Sequence, residues 1–294
     1  MTTNPDAGVD SMRFAAMLVH VDAGTATAVR LARAVALAES FHSSLIGLLS
    51  ISTNESGWVL RHADGTREYQ SFASSLADDC EQSRQSFDAA TEAATFPVDW
   101  RVGEGTPEEA LQCEGRLADL VIVGQPREPG PGDRMTFRQA RRLVASTIIG
   151  VGRPVLVIPP DVPTPNIGTR VMIGWNGSRE SARAILDALP WLERAQSVDV
   201  VHCVRSDGHR DLHSSPGAYA VSWLARRGIH ASLTELLTEP SADIGHLLLD
   251  FARRRGVDLI VCGAYGKGHV REEVLGGVTD TLLREMPAAT LLCH

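Results

Sequence analysis

Gly263, Gly266 and Gly268 follow directly on the apolar run 259–262, and a second pair, Gly276-Gly277, precedes a helix-like segment at 278–286. Strand, glycine loop and helix in that order make a cradle for an anion. Glycine backbone can approach a ligand without a Cβ in the way, and a helix N-terminus supplies unpaired N–H groups and the positive end of its dipole. The chemistry so predicted is phosphate binding through backbone amides. The spacing is neither G-x-x-x-x-G-K-[ST] nor the dinucleotide G-x-G-x-x-G; it reads Gly263-x2-Gly266-x9-Gly276-Gly277, followed by Val278 and Thr279. The same glycines would also serve a tight turn that packs a helix on a sheet. Lys267, His269 and Arg271 fall inside the loop, where they could neutralise a phosphate or simply carry the charge of an exposed loop.

Other chemistry lacks its residues. Of the ten histidines only His209 and His213 stand at H-x-x-x-H spacing, without the glutamate of H-E-x-x-H, and there is no G-x-S-x-G nucleophile elbow. His202, inside an apolar run, reads as a packed position. The five cysteines, Cys80, Cys113, Cys203, Cys262 and Cys293, contain no C-x-x-C pair, and the last three sit in strand-like runs as small hydrophobes. No metal or disulfide framework is predicted.

The elements that must position the loop occur twice. A strand at 14–21, a turn at Asp22-Ala23-Gly24, a helix at 27–41 and a strand at 45–51 are answered by a strand at 170–175, a turn at Asn176-Gly177-Ser178, a helix at 180–194 and a strand at 198–204. Placing Asp22 on Asn176 and Leu48 on His202 needs one shared offset and no gap. Further on, Ala-Asp-Leu-Val-Ile-Val-Gly at 118–124 matches Val-Asp-Leu-Ile-Val-Cys-Gly at 257–263, and 154–158 matches 289–293. Two matched blocks in the same order predict a tandem duplication. Each copy alternates strand and helix, and strands such as 120–123 are apolar throughout, as in a parallel sheet covered on both faces. The predicted fold is α/β, with two tandem doubly wound five-stranded parallel sheets. Ligands of such sheets bind beyond the carboxyl ends of the strands, where the strand order reverses. The predicted organisation is a disordered 1–11, a first domain at 12–160, a proline-rich linker at 161–166 and a second domain at 167–294.

The tandem units, the turn Gly174-Trp175-Asn176-Gly177-Ser178 and the loop 263–279 resemble a two-domain universal stress protein, with the adenine nucleotide alpha hydrolase-like fold, over nearly the whole chain. The resemblance implies an adenine nucleotide site in the second copy: Gly174 and Asn176 after its first strand near the ribose, Cys203 or Val204 at the end of its second strand for adenine, and Gly263, Gly266, Gly276, Gly277, Val278 and Thr279 for phosphates. Two positions depart from the family. Asn176 stands where the family has an acid, and Gly277 stands where it has a Ser or Thr, which costs one hydrogen bond of about 0.5–1.5 kcal/mol. The first copy keeps Asp22, but its loop 124–132 is rich in proline, and Arg141-Arg142 align with the Gly276-Gly277 pair. Those two long side chains are expected to close the first cradle, and with Arg134 and Arg138 they could form a small basic stripe.

With 294 residues, 44% hydrophobic and 22% charged, the composition is globular, and a net charge of −8 argues against a general affinity for nucleic acid or anionic membranes. No apolar run reaches bilayer length and the N-terminus has no signal-peptide core, so a cytoplasmic protein is expected. The reading is a stress-response protein that binds ATP or another adenine nucleotide, with or without Mg2+, as a regulatory ligand. Its alternatives are a nucleotide-independent interaction protein acting through dimerisation and a weak ATP hydrolase. The apolar last strand of each copy, at 155–158 and 290–293, is expected at a sheet edge that needs cover. This predicts pairing of the two copies and allows a homodimer.

Overall fold

The computed structural model describes residues 14–50, 66–103, 105–130, 133, 135–161, 166–205, 215–239, 241–266 and 277–294. The first half runs β1 (Ala16–Val21), α1 (Thr27–Phe41), β2 (Ser44–Ser50), α2 (Thr66–Thr91), β3 (Val98–Gly103), α3 (Pro107–Gly115), β4 (Leu120–Gly124), α4 (Phe137–Gly150) and β5 (Val155–Ile158). The second runs β6 (Arg170–Trp175), α5 (Arg179–Asp187), α6 (Leu189–Leu192), β7 (Ser197–Arg205), α7 (Pro216–Ala225), β8 (Ala231–Thr238), α8 (Ile244–Arg255), β9 (Leu259–Gly263), α9 (Gly277–Glu285) and β10 (Ala289–Cys293). The helix expected over 180–194 is two pieces. Pro190 has no N–H to offer the carbonyl four residues back, so α5 ends and α6 restarts around it.

Each half is a parallel five-stranded sheet, and the two halves join into one ten-stranded sheet of order β3-β2-β1-β4-β5-β10-β9-β6-β7-β8. The junction is antiparallel, with Leu156 opposite Leu291, Val155 opposite Leu292 and Val157 opposite Thr290. Leu156 and Leu291 therefore lie on the pseudo-two-fold axis that relates the copies. The two apolar edges cover each other, as their composition requires.

The matched Asp-Leu blocks have a structural purpose. Asp119 at the start of β4 accepts hydrogen bonds from the N–H groups of Ala15 and Ala16, and Asp258 at the start of β9 accepts from those of Gly168 and Arg170. Each carboxylate thereby pins the first strand of its half beside the fourth. The gapless superposition, however, fails between the first two strands of each copy. Val21 pairs with Leu49, whereas Trp175 pairs with His202, so Leu49 and not Leu48 is the counterpart of His202. The connection in the second half is one residue shorter, which brings Cys203 to the place of Ser50. His202 is half-buried and its Nδ1 lies 2.9 Å from the Trp175 carbonyl.

Two apolar cores sandwich the sheet and run through both halves. One gathers side chains of α1, α5, α6 and α7; the other gathers those of α3, α4, α8 and α9. On the first face Trp191 seals the junction between halves, its ring 4.8 Å from that of Phe14 and 5.5 Å from that of Phe41. On the second face Arg141 of α4 reaches Asp280 of α9 at 2.7 Å, and the Gln125 amide donates to the carbonyls of Leu283 and Arg284.

Candidate functional site

In each half, β1 or β6 is the strand where the order reverses, so a crevice opens beyond its carboxyl end. In the second half this crevice collects the ends of β6, β7 and β9. Gly174 lies opposite both Val201 and Cys262, which brings Gly174, Cys203 and Gly263 to one rim. Gly174 and Gly263 are glycines for packing reasons as well. A Cβ on Gly174 would stand 2.5 Å from the Cys262 sulfur, and one on Gly263 would stand 2.5 Å from backbone atoms of Glu180 and Ser181. The start of α5 is thus pressed against the end of β9. Burial pushes the Cys262 thiol up to about 12 and also raises that of half-buried Cys203, so both are neutral thiols.

Asn176 has turn chemistry of its own: its side-chain oxygen accepts from the Ser178 N–H at 3.0 Å, and Ser178 in turn caps α5 by accepting from the Ser181 N–H at 3.1 Å. Gly277 is the first residue of α9 and exposed, with nothing within 4 Å of where its Cβ would be. Val278 packs into the core and Thr279 is buried, so these two can offer a ligand only their backbone N–H groups, which the helix itself leaves unpaired. Val204 is half-buried at the end of β7. Gly276, Lys267, His269 and Arg271 lie outside the described residues.

A residue with no part in the sequence reading stands beneath this loop. Glu180 is 2% exposed; one carboxylate oxygen pairs with Arg179, and the other, Oε2, has no partner among the described residues and lies against Gly266. Hydrogen bonding to Arg179 holds its carboxyl below the ordinary glutamate value against the opposing effect of burial, so it stays ionised. The position follows two residues after an Asn-Gly turn, where a helix-opening acid is unremarkable, and only packing against Gly263 reveals it.

The first half holds a cavity of about 610 Å³ at the equivalent place. Its floor is a polar cluster from β1, β2 and α1. The Asp22 carboxylate takes the Gly24 N–H at 2.9 Å and the Arg30 guanidinium at 2.7 Å, and it also accepts from the Thr27 hydroxyl. Arg30, almost wholly buried, donates to the His20 carbonyl at 2.7 Å. His20 reaches Ser50 at 3.0 Å through Nε2 and faces Asp22 at 3.6 Å through Nδ1. Burial pushes the His20 imidazole down to about 4, assisted by Arg30 and opposed by Asp22. Burial would raise the Asp22 carboxyl, but Arg30, His20, Thr27 and the Gly24 N–H together hold it well below the usual carboxylate range.

The expected closure of this cradle by Arg141 and Arg142 differs from what is found. Arg141 turns away to Asp280 in the other half, and Arg142 stands at the cavity rim beside Glu108 at 3.5 Å. Both sit in the second turn of α4, whose N-terminus is closed by its own capping box: the Thr136 hydroxyl accepts from the Gln139 N–H, and Gln139 accepts from the Thr136 N–H. With each arginine paired, a free basic stripe does not form at these two positions. The loop after β4 carries a carboxylate of its own, Asp133. Its Oδ2 accepts from the Gly130 N–H and from Arg127, both at 2.8 Å, and its Oδ1 lies where a Cβ on Gly24 would be only 2.4 Å away.

Among the described residues no three His, Cys, Asp or Glu side chains group to hold a metal ion, and no helix is long and apolar enough to cross a membrane. Residues 169–294 match the model of the Universal stress protein family. A search of curated proteins returns no match. Among solved structures, the chain is similar to a universal stress protein from Archaeoglobus fulgidus at 16% identity and a TM-score of 0.70, over 96% of this chain and 99% of that one. It is also similar to a protein assigned to the universal stress proteins in Pseudomonas aeruginosa, at 14% identity and a TM-score of 0.60, over 95% and 93% of the two chains. A functionally unknown protein of the same organism shares 14% identity with a TM-score of 0.57, over 95% and 92%. At these identities the likeness is one of fold.

Proposed function

We propose that the second half, whose residues 169–294 match the model of the Universal stress protein family, binds an adenine nucleotide, ATP first among them, as a regulatory ligand. In this reading the chain is a cytoplasmic stress-response protein with domains at 12–160 and 167–294 joined by the linker 161–166. The observation that carries the reading is the open start of α9. Among the described residues nothing lies within 4 Å of where a Cβ on Gly277 would be, and the first N–H groups of a helix have no intrahelical partner, whereas the first half places the Asp133 carboxylate in its corresponding loop.

Gly263, Gly266, Gly276 and the backbone of Gly277, Val278 and Thr279 would hold the phosphates, Gly174 and Asn176 the ribose, and the end of β7 at Cys203 and Val204 the base. The Glu180 oxygen beside Gly266, which has no partner among the described residues, fits a ligand that brings a cation or a hydrogen-bond donor there. A magnesium-charged nucleotide therefore suits the site better than the free anion. Regulation has a route, since α9 carries Asp280, the partner of Arg141 in the first half. A ligand held at the start of α9 bears on the contact between the halves, and through the exposed edge strands β3 and β8 on pairing of whole chains. Among the described residues no nucleophile or general base is placed for hydrolysis, so binding stands ahead of a weak ATPase.

Titration with fluorescent ATP tests the proposal. Saturable binding that Gly266→Arg abolishes, in a variant with the parent circular dichroism spectrum, supports it; no binding at millimolar nucleotide leaves the interaction reading in its place.

A further inference from the structure

The first-half cavity is a built site with no part in that proposal. Its volume of about 610 Å³ matches that of pockets for small organic ligands. Leu49, Val123 and Leu143 give it apolar walls, while His20 and Ser50 present a hydrogen-bonding edge. Ser83, also among its lining residues, is wholly buried behind this wall.

The charges decide what kind of ligand. Each arginine on the wall already holds a carboxylate: Arg30 with Asp22, Arg127 with Asp133 and Arg142 with Glu108. Asp79 adds a further carboxylate to the wall. The loop after β4, which in the second half is read as a phosphate cradle, here carries its own anion in Asp133, bound by the Gly130 N–H and Arg127. A phosphate brought to that position would displace a carboxylate from a charge-assisted pair or sit beside it, and either is costly in a partly desolvated cleft.

We propose that the first-half cavity is a second small-molecule site, selective for uncharged, hydroxyl-bearing ring compounds of about nucleoside size, with Asp133 as the group that turns away their phosphorylated forms. The ring lies against the apolar wall, and its hydroxyls meet Ser50 and the edge of His20. The two halves of one duplicated chain thus divide ligand classes by a single substitution of anion: protein carboxylate in one, ligand phosphate in the other. The proposal rests on the nucleotide reading of the second half only for its choice of probes.

Adenosine and AMP, which differ by one phosphate, are the probes, and the cysteines are the reporters. Cys80 lines the first-half cavity, Cys203 stands at the second-half site, and exposed Cys113 is not among the residues lining the cavity. Alkylation of the full chain by iodoacetamide is followed at each cysteine by mass spectrometry. Adenosine at ten times its dissociation constant slows alkylation of Cys80 by about tenfold, as mass action requires, with Cys113 unchanged. AMP does not protect Cys80 in the unsubstituted chain, and Asp133→Asn makes it do so. Absence of Cys80 protection by millimolar adenosine overturns the proposal, as does equal protection by AMP with Asp133 intact. Should Asp133→Asn fail to fold, the contrast between adenosine and AMP on the unsubstituted chain decides alone. Protection at Cys203 reports separately on the second-half reading, so the failure of one is not mistaken for the failure of the other.

Discussion

Restoring a hydroxyl at Gly277 probes the second-half site most directly. The position accepts a side chain: its Cβ would meet nothing within 4 Å, and its φ is not among the positive values. Gly277→Ser also replaces glycine in the first turn of α9, where serine is the better residue, so the fold gains about 0.5 kcal/mol if it changes at all. If a nucleotide phosphate lies at the α9 N-terminus, the new hydroxyl donates to it for about 0.5–1.5 kcal/mol, a dissociation constant about two- to twelve-fold lower. Gly277→Ala adds the Cβ without the donor and leaves affinity where it was. Isothermal titration of ATP into the three proteins, with thermal melts as the check on folding, reads the difference. An affinity unchanged or weakened in Gly277→Ser, with its unfolding midpoint not lowered, refutes the placement of phosphate at this helix start.

His20 makes stability depend on pH. Its imidazole titrates near 6.5 unfolded and at about 4 folded, so within that window the unfolded chain binds the extra proton. Stability is therefore complete above pH 6.5 and falls as pH drops toward 4, by up to about 3 kcal/mol, a loss that urea titrations at pH 7 and pH 5 detect and His20→Gln removes. Asp22, whose folded carboxyl is depressed, adds its own loss only as pH falls below its ordinary 3.8. Trp191→Ala deletes the ring that packs on Phe14 and Phe41 across the junction and lowers unfolding free energy by about 3–5 kcal/mol in denaturant melts; a cost under about 1 kcal/mol contradicts its role as the seal. Gly263→Ala forces a Cβ to 2.5 Å from the backbone of Glu180 and Ser181 and costs about 1–3 kcal/mol without any nucleotide present; an unaltered melting temperature shows that the close approach is not needed.

The duplication, the strands and most helices are legible in the chain because they rest on local pattern. Apolar runs bounded by turns mark β4 and β9, and the helix α1 falls over Thr27–Phe41 as its composition predicts. The pairing of the two apolar end strands also follows from composition, since an unpaired apolar edge is a liability wherever it occurs. What the pattern misses are single-residue shifts and side-chain directions. The register between β6 and β7 differs by one residue from that between β1 and β2, a slip set by the length of the connection between the strands and not by the pattern within either.

Residue types and their order thus determine where the glycine-rich loops fall and how many times the unit repeats. What each loop meets is decided by tertiary structure. Asp133 bonds the Gly130 N–H and Arg127 within its own loop, yet its place over Gly24 depends on how the ends of β1 and β4 come together. Arg141, adjacent to Arg142 in the chain, leaves the cavity because the antiparallel junction brings Asp280 within 2.7 Å. Glu180 becomes a buried carboxylate under Gly266 only because Gly263 lets α5 approach β9. Charge–charge energies follow distance, and distances between residues far apart in sequence exist only once the chain has folded.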